Sequence, residues 1–429
     1  MENENKKQLI ILGNGFDLAC GLKSSYNDFF EQRFEKVKKV NRDRIIKTIP
    51  KYKPNNKGSV LNFKVHSLEK PVFNTFKNGY DDKVNYFDLL FLGTRTYMNF
   101  DNLSWSNIEQ ILQETLQIVY KDADGAIFND KEELNNRAKE LEKKCFSNYE
   151  FKSNEDKLNL IKFILHIFNK TIGDNNIKKS LEQYETIFGH FITNSINLNT
   201  KYLENVQKKL TQLIDQEAKE SYVLNFNYSA TPLLDPQILN IKRLSNWRNI
   251  HGLSRWDSNS RIQVIHKYGN NSIRLPRPIF GISKYDEVKN EFLSKEDPIY
   301  QFTKTKRREE KLQQGSRFLD FEFNNNTEKN ANFSHFTVPC DTNLVTIFGH
   351  SLGMTDYDYF KDIFQKLDLA NGNLQLKIYY YQSDLPLLKT SLYNMLEEYS
   401  HDVSMNARDL YHKLHNEGRL IFRDSTEIK

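Results

Sequence analysis

Three polar residues far apart in the chain have side chains suited to ligand binding or proton transfer. Asp17 ends the segment Gly13-Asn14-Gly15-Phe16-Asp17, in which two glycines permit a sharp turn that brings backbone N–H groups against a ligand, ideally a phosphate. Its carboxylate would repel a phosphate, so it could instead face a ribose hydroxyl or a reacting centre, or cap the next helix. Asn227 carries an amide that both donates and accepts, which suits a ribose or an attacking water. His251, followed by Gly252, carries the imidazole that suits proton transfer near neutral pH.

A second glycine-containing segment, Gly349-His350-Ser351-Leu352-Gly353, follows another apolar run and precedes Asp356. Ser351 and the backbone amides beside it could hold a second phosphate. The segment also satisfies the Gly-x-Ser-x-Gly pattern of a serine nucleophile, for which His401 or His412 could supply the base. The serine-hydrolase alternative leaves the first glycine turn unexplained, so we favour the phosphate-binding interpretation.

Other candidate residues have a structural interpretation beside the functional one. Asn227 and Tyr228 stand at the C-terminal end of an apolar run, the edge where open α/β sheets place ligands, but an asparagine there could also complete a turn. Trp105 and Glu109 share one helix face, so an aromatic ring and a carboxylate could line a cleft or could form core and solvated edge. His251 could equally be a satisfied core histidine.

The elements that must position these residues are predicted from hydrophobic periodicity. Apolar runs at Leu9–Leu12, 223–228, 344–348 and 376–381 indicate buried strands, and helical stretches near 356–367 and 385–399 separate some of them. This alternation is typical of parallel strands joined by helical crossovers. We therefore predict an α/β fold with a Rossmann-like parallel sheet. Leu18 fills the third glycine position of the Gly-x-Gly-x-x-Gly fingerprint, which disfavours dinucleotide binding in the dehydrogenase manner.

The 429 residues exceed the size of one hydrophobic core, and apolar residues at helical spacing dominate the region after the first helix. We predict that residues 1–34 form the first strand, glycine loop and helix of the core. Residues 35–220 are predicted to form a mainly helical insertion, and residues 221–385 the remainder of the core. Residues 386–429 are predicted to form C-terminal helices and a possible edge strand.

Composition limits the class of protein. An apolar content of 38% with a charged content of 27% indicates a soluble globular protein, and the short apolar run after the N-terminus is neither a signal peptide nor a membrane span. A net charge of +5 over this length falls short of a dedicated nucleic-acid binder. The charge runs at 36–47 and 304–311 are interpreted as solvated. Three widely spaced cysteines fit a reducing cytoplasm, and no metal-binding pattern is present.

The ordered motifs together resemble the AbiH family of bacteriophage abortive infection proteins. The resemblance rests on the segment from Leu9 through Asp17 with Ser25-Tyr26, on Trp105 to Glu109, on Leu224 to Tyr228, on Ile250-His251-Gly252, and on Phe348 to Leu352 with Asp356. It runs from the N-terminus to about residue 365. The opening Gly-Asn-Gly-Phe-Asp followed by Ser-Tyr is its most specific part.

The same order of motifs also resembles the sirtuin-like fold, in which a glycine-rich loop, an asparagine, a His-Gly pair and a Gly-x-Ser strand end surround NAD. That resemblance implies that Asn227 positions water and ribose and that His251 is the general base. It implies that Gly13, Gly15 and Ser351 contact phosphates and adenosine, with Asn14, Phe16, Tyr26, Tyr228, Gly349, His350 and Asp356 also lining the ligand site. The chain lacks the cysteine pairs of the sirtuin zinc module, which disfavours protein deacylation.

The resulting expectation is a cytoplasmic anti-phage effector that binds NAD or a related nucleotide and hydrolyses its N-glycosidic bond, as a candidate NAD glycohydrolase that uses no metal. Asp17 or Glu109 would stabilise the positive charge that develops on the ribose. A phage-derived trigger and a homo-oligomer are possible partners. The alternatives are a metal-dependent nuclease that uses the basic segments, and a nonenzymatic sensor that only binds the nucleotide.

Overall fold

The structure is a computed structural model of the chain that describes residues 6–34, 85–98, 105–122, 131–147, 149–168, 174–229, 241–254, 278–286, 291–313, 320–322 and 338–428. The basic run at 36–47 lies outside these residues. The chain divides into two compact units. The first comprises Met1–Ser24, Gly189–Ile279 and Arg308–Lys429, and the second comprises Ser25–Phe188 and Phe280–Arg307.

The strands of the described residues are, in chain order, β1 (Lys7–Leu12), β2 (Glu220–Asn225), β3 (Leu244–Asn249), β4 (Tyr285–Asp286), β5 (Glu291–Phe292), β6 (Asp320–Glu322), β7 (Thr342–Phe348), β8 (Gln375–Tyr380) and β9 (Leu420–Asp424). The α-helices are α1 (Asn14–Ala19), α2 (Tyr26–Arg33), α3 (Tyr86–Tyr97), α4 (Trp105–Gln117), α5 (Lys131–Glu142), α6 (Asn154–Phe168), α7 (Asp174–Leu198), α8 (Tyr202–Leu213), α9 (Lys304–Gln313), α10 (Tyr357–Lys366), α11 (Leu385–Ser400) and α12 (Ala407–Asn416). Short 3₁₀ turns lie at Tyr300–Phe302, Met354–Asp356, Gln382–Asp384 and Ser425–Glu427, and α4 continues into a π-helical turn at Ile118–Asp122.

The first unit is built on one sheet with the strand order β6-β3-β2-β1-β7-β8-β9. Strands β3, β2, β1, β7, β8 and β9 are parallel to their neighbours, and the short β6 pairs antiparallel with β3 at one edge. Counting only the six parallel strands in chain order, the arrangement is 3-2-1-4-5-6, the order of a doubly wound dinucleotide-binding sheet. The predicted α/β fold with a Rossmann-like parallel sheet is confirmed.

The central strand β1 explains the continuous apolar run at the start of the chain. Leu9, Ile10, Ile11 and Leu12 are fully buried because β1 lies between β2 and β7, where a parallel sheet is covered on both faces. Strand β7 has the same character for the same reason. The strand order reverses between these two strands, so the crevice at their carboxyl ends is the place where open sheets of this type bind ligands.

Gln8 is the polar exception in β1, and its side chain is fully satisfied. The amide donates to the carbonyl of Leu213 at 2.9 Å and to the hydroxyl of Thr346 at 2.8 Å. Its oxygen accepts from the Asp215 N–H at 2.9 Å and from the Ser221 hydroxyl at 3.1 Å. These bonds connect β1 to residues on both neighbouring strands, and a buried amide without them would cost about 1–3 kcal/mol.

The described residues of the second unit are mainly helical, with the β4–β5 pair and two isolated bridges beside the helices. Its interior is rich in aromatic rings, with Trp105 4.7 Å from Phe188 and 5.5 Å from Tyr26 between ring centroids. A bidentate ion pair joins Arg33 to Asp88, both with fully buried side chains. None of the described helices of the chain is long and apolar enough to cross a membrane.

Candidate functional site

Four strands of the first unit end in one row. The pairing aligns Leu12 of β1 with Asn225 of β2 and with Phe348 of β7, and it aligns Asn225 with Asn249 of β3. The second residue beyond the ends of β2, β3 and β7 is therefore placed at the same carboxyl edge of the sheet. Those three residues are Asn227, His251 and His350, each a residue predicted from the sequence to line the site.

The loops after β1 and β7 touch through their glycines. The Gly13 N–H donates to the Phe348 carbonyl at 3.0 Å, and the Gly15 N–H donates to the Gly349 carbonyl at 2.8 Å. A methyl group on Gly13 would lie 2.5 Å from the Gly349 oxygen, and one on Gly349 would lie 2.3 Å from the Phe16 nitrogen. The glycines are thus required for close packing of two loops, and these two N–H groups already have protein acceptors. Contact of Gly13 and Gly15 with a phosphate stays a prediction.

Asn227 connects the end of β2 to the first glycine turn. Its side-chain amide donates to the Gly13 carbonyl at 2.9 Å, and its own N–H donates to the Asn225 side-chain oxygen at 3.1 Å. The Asn249 amide donates to the carbonyls of Asn227 and Ser229, both at 2.9 Å. All of these asparagines are buried, so the polar edge is held by a network whose donors and acceptors satisfy one another.

Asp17 lies within α1 with its carboxylate buried. The Tyr202 hydroxyl donates to one carboxylate oxygen and the Ser229 hydroxyl donates to the other, both at 2.7 Å. Desolvation on burial raises the pKa of Asp17 to about 6, against the lowering effect of the two hydroxyl donors. These contacts tie α1 to α8 and to the loop after β2. They do not include the helix-capping role that the sequence left open, because Gly13 stands at the N-cap of α1 and Ser25 at that of α2.

One carboxylate lies between two histidines at the same edge. The Nε2 atom of His251 is 3.0 Å from Oδ1 of Asp356, and the Nε2 atom of His350 is 3.5 Å from Oδ2. All three residues are buried. With Asp356 ionised and His251 neutral, the carboxylate can only accept, so the proton of the ring is on Nε2 and Nδ1 carries the lone pair. A carboxylate that orients an imidazole and stabilises its charged form is the arrangement of a general base.

The loop that carries His350 adopts unusual backbone conformations. Gly349 has a φ of 66° and Leu352 a φ of 55°, on either side of His350 and Ser351. A leucine in the left-handed region costs roughly 1–2 kcal/mol. The Leu352 N–H donates to His350 Nδ1 at 3.0 Å, so the strained backbone orients the imidazole. Asp356 stands at the N-cap of α10 without a capping bond, because its carboxylate faces the histidines instead.

Phe226 packs between the two histidines from the end of β2. Its ring centroid lies 5.3 Å from His251 and 4.4 Å from His350. Tyr359 of α10 packs edge-on against His251 at 5.6 Å, and the guanidinium of Arg308 lies 5.6 Å from the centroid of the Tyr359 ring. The polar edge therefore has an apolar, aromatic wall, which strengthens electrostatic interactions within it.

The remaining predicted residues of the first unit are placed as follows. The Asn14 side-chain oxygen accepts from the Ser24 hydroxyl at 2.7 Å, and Phe16 is buried with its ring 5.9 Å from that of Phe348. Tyr228 is partly buried, and its carbonyl accepts from the Ser254 N–H at 2.8 Å. Ser351 is exposed. Among the described hydrogen bonds none joins Ser351 to a histidine, and His401 and His412 are both exposed.

Two predicted residues belong to the second unit. Tyr26 is buried among aromatic rings, with Phe91 at 5.4 Å. Glu109 forms an ion pair with the buried Lys304 at 2.7 Å. The first unit thus brings together Asp17, Asn227, His251, His350 and Asp356 with the glycine loops. A ligand contact for Tyr26 and a catalytic role for Glu109 stay predictions.

Sequence reasoning missed four residues that complete the edge, namely Asn225, Asn249, Tyr202 and Ser229. The first two had a signal, because both end a strand and lie two residues before a candidate. Tyr202 and Ser229 had none, since they reach Asp17 from 185 and 212 residues away.

The described part of the chain contains no group of three or more His, Cys, Asp or Glu side chains arranged to hold a metal ion. The absence of a metal from the proposed reaction stays a prediction.

The strand order and the polar edge at its reversal define a Rossmann-like α/β protein with a candidate ligand site at the carboxyl ends of the strands. The family model for bacteriophage abortive infection AbiH matches residues 9–380. The chain therefore belongs to the AbiH family. The description of the family indicates a role in abortive infection, a response of the host to phage. No curated protein and no solved structure matches the chain.

Proposed function

We propose that the chain is an abortive-infection effector that binds NAD or a related nucleotide and hydrolyses its N-glycosidic bond. One observation carries the proposal: Asn227, His251, His350 and Asp356 converge at the carboxyl edge of a sheet whose strand order is that of dinucleotide-binding folds. The sirtuin-like resemblance of the motifs points to the same ligand. The family role in abortive infection supports a reaction that depletes a central metabolite.

The chemistry assigned to the site is the attack of water on C1′ of the ribose. The bond between C1′ and the nicotinamide nitrogen breaks, its electron pair neutralises the nicotinamide, and a C1′–oxygen bond forms. The neutral leaving group needs no proton, so the protein has to accept only the proton of the attacking water. His251 Nδ1 takes that proton, and Asp356 stabilises the resulting imidazolium through Nε2.

Asn227 is the residue assigned to orient the ribose or the water. Its amide nitrogen already donates to the Gly13 carbonyl, but the side-chain oxygen can accept a further bond. The carboxylate of Asp17 is assigned a positioning role. Its two oxygens accept hydroxyl donors, and these bonds fix α1 and the loop after β2. The polar edge would then be preorganised before the ligand binds.

The test is incubation of the purified full-length protein with NAD, NADP or ATP, followed by chromatography for released nicotinamide, adenine and ribosylated product. We expect nicotinamide and ADP-ribose from NAD. His251→Gln should lower the rate by about 10²-fold or more, because a glutamine cannot accept the proton. His412→Gln, the same change at an exposed histidine of α12, should match the parent protein.

A parallel measurement follows NAD in cells that express the chain during phage infection, because activation could require a phage component. The concentration should fall with the parent chain and not with His251→Gln. Binding of NAD by calorimetry without nicotinamide release in either setting would favour a sensor. Absence of binding together with metal-dependent cleavage of nucleic acid would favour a nuclease.

A further inference from the structure

His350 is the polar residue of the edge to which the proposed reaction assigns no step. It is buried, it lies in the loop after β7, and the structure places its two ring nitrogens against different partners. Nδ1 accepts the Leu352 N–H at 3.0 Å, and Nε2 faces Asp356 at 3.5 Å. Both ring nitrogens therefore have a defined neighbour.

The bond from Leu352 fixes which nitrogen carries the proton. A ring nitrogen that accepts an N–H has its lone pair in use, so the proton of the neutral imidazole must be on Nε2. His350 then presents its Nε2–H to Asp356 Oδ2 across 3.5 Å, which is long for a hydrogen bond but close enough for the N–H dipole to act on the carboxylate charge. Because Gly349 and Leu352 both hold left-handed backbone angles, the loop is shaped to present this nitrogen to the carboxylate.

We propose that His350 is a positioning residue for the His251–Asp356 pair, a proposal that rests on the proposed function. Its Nε2–H faces one oxygen of Asp356 at 3.5 Å, and the other oxygen, 3.0 Å from His251, takes the Nε2–H of His251, so that His251 Nδ1 is the proton acceptor. The donor also spreads the negative charge of the carboxylate. His251 therefore experiences a weaker pull than it would from an Asp356 bound on one side alone.

The charged and titratable groups around the pair come from several elements. Asp356 and Tyr359 flank His251 from the start of α10, His350 reaches Asp356 from the loop after β7, and Arg308 lies over the Tyr359 ring. A change at His350 leaves these other groups in place. The effect on His251 is therefore transmitted through the carboxylate of Asp356.

Two substitutions separate the two contacts of His350. In His350→Gln, the side-chain amide nitrogen occupies the position of Nε2 and can still donate to Asp356. In His350→Asn, the shorter side chain can still accept the Leu352 N–H but cannot reach the carboxylate. Comparison of these two variants therefore tests whether the N–H that faces Asp356, and not merely the contact with the Leu352 N–H, affects His251.

The readout is the titration of His251 by NMR in the full-length protein with ¹³C-labelled histidine, assigned by loss of its signal in His251→Gln. In His350→Asn the titration midpoint should rise by about 0.5–1 pH unit, because the carboxylate charge is then directed at His251 alone. In His350→Gln it should stay near the parent value. The signal of exposed His412 is the internal reference and should not move. Equal midpoints in all three proteins, or equal shifts in both variants, would overturn the proposal.

The catalytic readout is the acid limb of the kcat/KM profile, which should move to higher pH by the same amount in His350→Asn and recover in His350→Gln. A uniform loss of rate without movement of the limb would assign His350 a structural role only. The NMR titration needs no turnover. If the parent protein released nothing from any nucleotide while the NMR shifts appeared as expected, the proposed function would fail and the positioning role would stand.

Discussion

The side-chain amide of Asn227 donates to the carbonyl oxygen of Gly13 across 2.9 Å, joining the end of one strand to the glycine turn after its neighbour. The two residues are 214 positions apart in the chain. The bond gives Asn227 two tasks, since the residue assigned to orient the ribose also holds the turn. Loss of activity on substitution is therefore expected to come with a loss of stability.

Asn227→Ala should abolish nicotinamide release and lower the free energy of unfolding by about 1–2 kcal/mol, because it removes a buried hydrogen bond to the Gly13 carbonyl, which keeps only the Phe16 N–H as a donor, and leaves a cavity. The measurement is the urea midpoint of the variant against the parent protein, with activity assayed in parallel.

A matched control is Asn199→Ala at a partly exposed position. It removes a similar amide-to-carbonyl bond to Gly21, of 2.6 Å, together with the exposed bond that the Asn199 oxygen accepts from the Lys201 N–H. Water can replace these bonds, so the cost should be no more than about 1 kcal/mol and turnover should persist. Equal destabilisation by the two variants would contradict the role given to the Asn227 bond.

Gly349 and Gly418 offer a test of the loop contact, because both have a φ of 66°. A methyl group on Gly418 would meet nothing within 4 Å, whereas one on Gly349 would lie 2.3 Å from the Phe16 nitrogen. Gly418→Ala should therefore report the backbone cost alone, about 1–2 kcal/mol. Gly349→Ala should cost at least about 2 kcal/mol more, from the forced separation of two backbones.

The comparison is made by thermal and urea unfolding of both alanine variants. Similar midpoints for the two would show that the loops after β1 and β7 can separate freely. In that case the crevice between them would be adaptable, and the preorganisation assigned to the edge would be wrong.

The sequence was sufficient to predict the fold class and four strands of the sheet, those at Leu9–Leu12, 223–228, 344–348 and 376–381. Runs such as Leu9–Leu12 carry their own signal, because a strand buried on both faces has to be apolar throughout. Asn227 follows a predicted strand and could be expected at its carboxyl end, whereas the strand β3 that places His251 beside it was not predicted. The confirmed fold class follows from these local patterns.

The partners of these residues could not be predicted in the same way. His251 and Asp356 are 105 residues apart, and the spacing of the two contains no information about their contact. The two glycines of the first turn were predicted to contact a phosphate. Their packing against Gly349 was not foreseen, because Gly349 lies on a loop far along the chain. Similarly, the ion pair of Arg307 with Glu185, 122 residues away, links two chain segments of the second unit without any local pattern. Such information resides in tertiary contacts.

Asp356→Asn tests the charge of the carboxylate between the histidines. An amide of the same shape can keep a hydrogen bond to His251, but it cannot stabilise the imidazolium formed when His251 accepts a proton. Turnover should fall by about 10²–10⁴-fold. Asp384→Asn, the same change at an exposed position before α11, is the control and should keep the parent rate. A parent-like rate for Asp356→Asn would remove Asp356 from the proposed mechanism.

Asp17 predicts a pH dependence of stability that can be isolated by one substitution. Burial raises the pKa of Asp17 to about 6 in the folded protein, against 3.8 as its ordinary value. Between these two values the folded protein holds a proton that the unfolded chain has released. Unfolding free energy should therefore fall as the pH rises from about 4 to 6, by up to about 3 kcal/mol, and then stay level as far as Asp17 is concerned.

Asp17→Asn keeps the shape and lacks the titration. Its oxygen can accept the Tyr202 hydroxyl, and its amide can donate to the oxygen of Ser229. Near pH 4 the variant and the parent protein should be about equally stable, because Asp17 is then protonated and neutral. At pH 7.5 the variant should be the more stable of the two, since the parent carries a buried charge. Urea unfolding of both proteins at several pH values measures this difference, in which the titrations of all other groups cancel. If the difference in unfolding free energy between variant and parent were constant from pH 4 to 7.5, the pKa of Asp17 would be the same in the folded and unfolded protein. Its two hydroxyl donors would then compensate fully for its burial.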